Sequence, residues 1–338
     1  MSFDEKYMRR ALQLAALGEA HAAPNPMVGA VIVAPDGRII GEGWHRRCGE
    51  GHAEVNAIAS VADRDALRTA TMYVTLEPCS HWGRTPPCAR LIIDCGIPRV
   101  AVAATDPFPA VSGRGIAMLR EAGVEVLTGM LAEDSLRLNA RFITAHTRQR
   151  PFTMLKWAQS ADGYLDRRRA DGAPAARIST PLTQLLMHRS RSRFDAILVG
   201  SGTVLADNPR LDARLWPGGR APRPAVADRR RRVAPSAHVM QRSPLLLHDA
   251  DTPAEILATL YREGITSVMV EGGSALLHSF AESGLWDVAR VEVSPARFGT
   301  DGASPAPCLG QEPLRVECVD GNNIFFYSNN PLVDVKKL

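Results

Sequence analysis

The chain predicts an α/β protein in two halves. Apolar strand-like runs alternate with helical stretches along most of the sequence, and 338 residues exceed what one core ordinarily holds. A polar and basic stretch from Leu138 to Arg150, ended by Pro151, separates two such alternating series. The expected units are residues 1–146 and 147–338, the first a three-layer α/β/α sandwich.

Ser2 with Glu5 reads as a capping box, and Met8, Ala11, Leu12 and Ala15 follow at helical spacing until Gly18. Val28–Val33 and Arg38–Trp44 flank Pro35-Asp36-Gly37, so a hairpin is expected. A helix follows from about His52 to Val61, and Met72–Leu76 is a strand that delivers Cys79 just beyond its carboxyl end. Ala89–Cys95 reads as a helix, Arg99–Ala103 as a strand, Gly115–Ala122 as a helix and Val124–Leu127 as a strand. In the second series Pro151–Ala158, Ala196–Gly200, Pro224–Asp228 and Ser267–Val270 read as strands. Thr183–Arg191 reads as a helix, Arg214–Ala221 as a loop, and a last helix runs to Ser283, where Gly284 stops it.

Composition excludes several classes. Hydrophobic residues at 45% and charged residues at 22% rule out a disordered or fibrous protein. No apolar run approaches a membrane span and the N-terminus lacks a signal core, so a cytoplasmic protein without membrane contact is expected. Six scattered cysteines disfavour a disulfide framework. A net charge of +4 without a basic-aromatic stripe argues against a nucleic-acid partner.

The chemistry concentrates at His52-Ala53-Glu54, Pro78-Cys79 and Cys88. One imidazole and two thiolates suit zinc, and three protein ligands leave the fourth position open for water, as in catalytic rather than structural sites. Glu54, two residues after His52, is placed to shuttle protons without ligating the metal. The His-x-Glu … Pro-Cys order is the signature of zinc nucleobase deaminases, which hydrolyse an amino group from a ring carbon. A structural zinc knot is the plainer alternative.

The second thiol is delayed to Cys88 by the insert Ser80-His81-Trp82-Gly83-Arg84-Thr85-Pro86-Pro87. With Pro24-Asn25-Pro26-x-Val28-Gly29 and Gly41-x-Gly43-x-His45, this insert resembles the riboflavin-biosynthesis deaminase family, whose bacterial form carries a C-terminal reductase. The resemblance implies a cytidine-deaminase-like first domain acting on a diamino-ribosylamino-pyrimidinone 5′-phosphate. It implies zinc on His52, Cys79 and Cys88, and contacts to the pyrimidine or its phosphate from Asn25, His45, His81 and Arg84. Plainer readings stand beside these: Asn25 shapes a turn between prolines, His45 is a hydrogen-bonded structural histidine, and Arg84 is a solvated loop charge.

The second half resembles the matching NADPH-dependent reductase, with a dihydrofolate-reductase-like α/β fold. The matching residues are Leu155-Lys156-x-Ala158-x-Ser160-x-Asp162-Gly163, Gly202-Thr203-Val204-Leu205-x-Asp207-Asn208-Pro209 and Glu271-Gly272-Gly273. The resemblance implies cofactor contacts from Ala158, Thr203, Asp207, Gly273, Ser274, Ala275, Leu276 and Leu277, and substrate contacts from Arg191, Leu211, Arg214 and Glu271. Lys156 and Asp207 are the candidates for polar assistance to hydride transfer. Arg177 and Arg229 stand where the family usually has Trp and Ser, and both are taken as cofactor contacts. Arg229 opens a run to Arg232 that suits the 2′-phosphate of NADPH, although charge runs are usually solvated. Gly272-Gly273-Ser274 suits a pyrophosphate at a helix start, or is a plain strand-to-helix turn.

The expected activity is therefore bifunctional: zinc-dependent hydrolytic deamination, then NADPH-dependent reduction of the ribosyl group to ribityl. A homodimer or higher homo-oligomer fits the family. The rival readings are a nucleobase or tRNA deaminase with an inactive reductase-like domain, and a zinc-stabilised RNA-binding module.

Overall fold

In the structure, a computed structural model that describes residues 3–82, 86–106, 112–170 and 173–335, the chain divides into the units Met1–Arg148 and Gln149–Leu338. No helix among the described residues is long and apolar enough to cross a membrane.

The first unit opens with α1 (Glu5–Ala16), which buries Met8, Ala11, Leu14 and Ala15 along one stripe. Its N-cap is Asp4, whose carboxylate accepts the Lys6 N–H at 2.9 Å, in place of the expected Ser2–Glu5 box; Ser2 lies outside the described residues. The hairpin forms from β1 (Gly29–Val33) and β2 (Ile39–Trp44). Then come α2 (Ala53–Ala59), β3 (Thr71–Leu76), α3 (Cys88–Asp94), β4 (Arg99–Ala104), α4 (Arg114–Glu121), β5 (Glu125–Thr128), α5 (Ala132–Leu138) and α6 (Ala140–Arg148).

The sheet order is β2-β1-β3-β4-β5, with β1 antiparallel to β2 and β3, and β3, β4 and β5 parallel. Ala30, Ile32, Met72, Val74, Val100 and Val102 pack under α2, α3 and α4, while Val31, Val33, Tyr73 and Ala101 meet α1 on the other face. This is the three-layer sandwich. Gly43 explains part of the motif: a Cβ there would stand 2.2 Å from Ala57 N, so glycine lets α2 lie flat on β2.

The stretch from Leu138 to Arg150 is largely helical. It is mostly α6, with Ala140, Ile143 and Ala145 buried, and its polar Asn139 has a structural duty. The Asn139 amide accepts the Met27 N–H at 2.8 Å and donates to the Met27 carbonyl at 2.9 Å, pinning the loop before β1.

The second unit contains β6 (Phe152–Gln159), β7 (Tyr164–Arg167), α7 (Pro181–Arg191), β8 (Ala196–Gly200), α8 (Ser201–Asp207), β9 (Arg223–Ala227), β10 (Leu245–Leu247), α9 (Pro253–Arg262), β11 (Ser267–Val270), α10 (Ser274–Ser283), β12 (Val288–Val293), β13 (Gly302–Pro305), β14 (Arg315–Val319) and β15 (Asn322–Ser328). Helices α7 and α9 start on full capping boxes, Thr180 with Thr183 and Thr252 with Glu255, each with proline at the first helical position. The eight-stranded sheet runs β10-β9-β8-β11-β6-β12-β15-β14, parallel from β10 to β12 and antiparallel beyond, while β7 and β13 pair separately. Leu155, Leu198, Val268 and Val270 pack against Ile256, Leu260, Leu277 and Phe280 of α9 and α10. Burying each such side chain stabilises the unit by about 1.5–3 kcal/mol. The parallel strands therefore end together, and their carboxyl ends open one cavity.

Candidate active sites

In the first unit, the N-terminus of α2 and the N-terminus of α3 face the end of β3. His52 caps α2, Cys88 opens α3, and Cys79 stands three residues past β3. Among the described residues, their ligand atoms form the one potential metal cluster, all within 4.8 Å of one another. His52 Nδ1 lies 3.6 Å from Cys79 Sγ and 3.3 Å from Cys88 Sγ. Tetrahedral zinc with Zn–S of about 2.3 Å and Zn–N of about 2.0 Å separates such atoms by about 3.5 Å, so these residues fit the metal. The Cys88 N–H points at Cys79 Sγ, 3.3 Å away, a helix N-terminus supporting a thiolate.

Glu54 sits in the first turn of α2, only 3% exposed. Burial, and then the negative charge of Cys79, push its carboxyl up to about 7, the range of a group that both takes and gives a proton near neutrality. The Cys79 thiol is drawn down to about 4, first by a hydrogen bond from Cys88 and also by His52.

Asn25 and His45 are brought together. Asn25 Nδ2 lies 3.2 Å from His45 Nε2, and His45 Nδ1 lies 3.3 Å from the Gly51 carbonyl. Burial holds His45 below its ordinary value, so it stays neutral, donating to Gly51 and accepting from Asn25. Both ring nitrogens thus have protein partners, and the Asn25 carbonyl oxygen is the atom left for a ligand. The His45 and His52 rings meet edge to face at 5.5 Å. His81 is exposed, and Arg84 lies outside the described residues.

In the second unit a cavity of about 780 Å³ opens at the ends of β6, β8, β9 and β11. Of the residues expected there, it gathers Lys156, Ala158, Thr203, Asp207, Arg229, Glu271 and Gly273 to Leu277. Two strand-to-helix turns, Gly200 into α8 and Gly273 into α10, present backbone N–H groups on neighbouring strands, a cradle that suits phosphates. The volume lies in the range of cofactor sites, and its lining sets Arg169, Arg229 and Arg232 beside Asp166, Asp207 and Asp251.

Not all expected residues line it. Arg177 is exposed and lies off the cavity, as do Leu211 and Arg214, the latter paired with Asp212 at 2.6 Å. Arg191 reaches the cavity only through Glu271, whose two oxygens it engages at 2.7 and 2.5 Å. Arg169 and Ser201, which sequence reasoning did not single out, also line it, as does Arg232, the last of the expected basic run. Arg169 ties Asp166 and Asp207 together, meeting Asp207 at 2.7 Å, and Arg232 donates to Ser201 Oγ at 2.9 Å. Arg229 pairs with Asp251 at 3.3 Å.

Fold and sites together define a zinc-binding deaminase joined to a reductase within a single polypeptide. Residues 1–104 match the cytidine and deoxycytidylate deaminase zinc-binding region, and residues 151–324 match the RibD C-terminal domain. The riboflavin biosynthesis protein RibD of Aquifex aeolicus is 38% identical over 320 residues, covering 88% of each protein. That of Escherichia coli is 35% identical, covering 92% of this chain and 93% of its own. Among solved structures, a diaminohydroxyphosphoribosylaminopyrimidine deaminase/5-amino-6-(5-phosphoribosylamino)uracil reductase from Thermotoga maritima superposes with a TM-score of 0.84 at 36% identity, covering 96% of this chain and 98% of that one. Acinetobacter baumannii RibD gives 0.86 at 30% identity with the same coverage. The chain belongs to the RibD family of bifunctional riboflavin biosynthesis enzymes, as the insert before Cys88 suggested, and its cofactors are zinc for the first unit and NADPH for the second.

Proposed function

We propose that the first unit deaminates the diamino-ribosylamino-pyrimidinone 5′-phosphate and that the second reduces the ribosyl group of the resulting aminouracil to ribityl. The observation that carries this reading is the His52–Cys79–Cys88 triangle with a buried Glu54 beside it. When bound, zinc supplies a Lewis acid that makes water nucleophilic near neutral pH, and NADPH supplies hydride. His52, Cys79 and Cys88 hold the metal. Glu54 takes a proton from the attacking water and gives it to the ring nitrogen, then takes the remaining proton from the hydroxyl of the tetrahedral carbon and gives it to the departing amine. Asn25, oriented by His45, offers its carbonyl oxygen to the pyrimidine, and His81 and Arg84 serve the same ligand.

In the second unit Gly273 to Leu277, Ala158, Thr203 and Asp207 bind the cofactor, with Arg229 and Arg177 toward its phosphates. Arg191, Leu211, Arg214 and Glu271 serve the substrate. Lys156 gives the proton that the acceptor nitrogen needs as its carbon gains hydride, and Asp207, held by Arg169, keeps the cofactor in place. The functional halves are residues 1–146 and 147–338, and the enzyme works in the cytoplasm as a homodimer or higher homo-oligomer on a small phosphorylated pyrimidine, without nucleic acid. A coupled absorbance assay tests the whole reading. NADPH oxidation is expected only once deaminated product forms, and zinc chelation is expected to stop it unless that product is added. Oxidation of NADPH with no deaminated product present would contradict the order of steps.

A further inference from the structure

The parallel register of β6 and β12 sets Lys156 beside Arg290 and Ala158 beside Glu292. Alternation places these polar side chains on one face of the sheet, while Leu155, Trp157, Ala289 and Val291 enter the apolar core on the other. Arg290 is 4% exposed and Glu292 is fully buried. A buried guanidinium is costly unless well paired, and this one is not. Its Nη1 has no hydrogen-bond partner, and Glu292 Oε2 stands 3.8 Å away. Glu292 instead accepts from Ser179 at 2.9 Å, Thr183 at 2.6 Å and Asn322 at 2.7 Å.

The charged groups acting on Lys156 are Arg290 and Glu292 on β12, Glu271 after β11 and Arg191 on α7, with His188 of α7 beside Arg191. Glu271 already gives both oxygens to Arg191, and Glu292 is satisfied by three donors. Lys156 itself makes no side-chain hydrogen bond among the described residues and lines the cavity. With the neutral His188 set aside, three cations meet two carboxylates. Composition points the same way: of 40 basic residues only Lys6, Lys156, Lys336 and Lys337 are lysine, and three of these lie near the termini. At the one interior position the protein keeps the cation that can release a proton when buried, which arginine does not.

We propose that Arg290 is a positioning residue of the reductase centre: its buried charge, fixed beside Lys156 by strand register, drives the ammonium toward the cavity and eases transfer of its proton. This rests on Lys156 being the proton donor. In the ring-opened imine form of the substrate, the carbon of the C=N bond gains hydride from the reduced nicotinamide, which is left oxidised. The π pair moves to nitrogen, and nitrogen takes a proton from Lys156 Nζ, leaving a neutral amine. Burial lowers the Lys156 ammonium most; Glu271 and Glu292 pull it up, and Arg290 and Arg191 push it down.

With only four lysines, the Nζ titration of Lys156 is readable by NMR of the ¹⁵N-lysine-labelled full-length protein, its signal assigned by loss in Lys156→Arg. Arg290→Met is expected to raise the Lys156 midpoint by about one pH unit, and Glu292→Gln to lower it. The alkaline limb of kcat/KM for NADPH-dependent reduction is expected to move with that midpoint. Arg290→Gln, which keeps a donor toward Glu292, has the same expected shift and serves where the Met variant does not fold. An unmoved Lys156 midpoint in the Arg290 variants overturns the proposal. A midpoint that moves while the rate profile stays fixed shows the coupling but removes Lys156 as donor, and with it the catalytic part of the proposal.

Discussion

Glu77 accepts the backbone N–H of Gly115 at 2.8 Å, and through it the first turn of α4 is tied to the strand end from which Cys79 departs. The same carboxylate accepts from Gly113 at 2.9 Å, Asp106 at 3.2 Å and Ile116 at 3.3 Å. Next to it, a Cβ on Gly115 would meet the Pro78 carbonyl oxygen at 2.0 Å. Gly115→Ala is therefore expected to push the Pro78-Cys79 turn away and cut zinc content, with a loss of about 1–3 kcal/mol from overpacking. Glu77→Gln, which keeps one acceptor oxygen but sets an NH2 group against two of the four N–H groups, is expected to weaken zinc retention in the same direction. Metal analysis after dialysis against a chelator, beside thermal melts, checks both; full zinc in Gly115→Ala refutes the close-packing argument.

At the metal site Glu54 and Cys88 have separable roles. Glu54→Gln is expected to keep zinc, because the carboxylate is no ligand, and to lower ammonia release by about 10²–10⁴-fold. Cys88→Ser is expected to lose the metal itself, since the remaining His52 and Cys79 cannot hold it against a chelator. Zinc content and ammonia release, measured on the same samples, separate the outcomes. Normal turnover by the Gln variant would end the shuttle assignment.

This site was legible in the sequence because its four residues lie on three short segments whose local patterns are strong: a helix start, a strand end with proline, and a second helix start. The reductase site was legible where glycines mark strand-to-helix turns and on β6, at Lys156 and Ala158. Arg169 and Arg232 gain their partners, Asp207 and Ser201, across separations of 38 and 31 residues. Arg290 meets Lys156 only through the register of two strands far apart in sequence, which no local pattern reports. That Leu138–Arg150 reads as a polar stretch between two series has a physical cause too: α6 buries one narrow stripe, and Asn139 looks like a loop residue until its bonds to Met27 are seen.

Asp195 supplies a pH prediction. It sits before β8 and accepts from Arg220 at 2.5 Å, from the Thr266 N–H and hydroxyl at 3.1 and 2.7 Å, and from the Ser267 N–H and hydroxyl at 2.9 and 3.0 Å. Burial raises its carboxyl, but Arg220 and these hydroxyls outweigh that and hold it below 3.8. Because the folded value is depressed, its stabilising contribution is present above the unfolded value and lost as pH falls through the folded one. Asp195→Asn is expected to cost the second unit about 1–3 kcal/mol at neutral pH, with a smaller deficit near pH 3. Urea unfolding at both pH values decides it; an equal deficit at each would show that the carboxylate charge is not involved.

Cofactor choice turns on two arginines of the same run. Both line the cavity, but Arg229 is paired there with Asp251, whereas Arg232 donates to Ser201. A guanidinium fixed before the ligand arrives loses less entropy on binding a phosphate than one that must leave an acidic partner. Arg232→Ala is therefore expected to narrow the preference for NADPH over NADH by about tenfold or more, the worth of one charge-assisted hydrogen bond. Arg229→Ala is expected to narrow it less, since the wild-type guanidinium is shared with Asp251. The KM ratio of the two cofactors in the reductase assay is the readout, with kcat as the control for damage to the centre. Should Arg229→Ala shift the ratio more than Arg232→Ala, Arg229 reads the 2′-phosphate, and the bond from Arg232 to Ser201 serves the α8 turn alone.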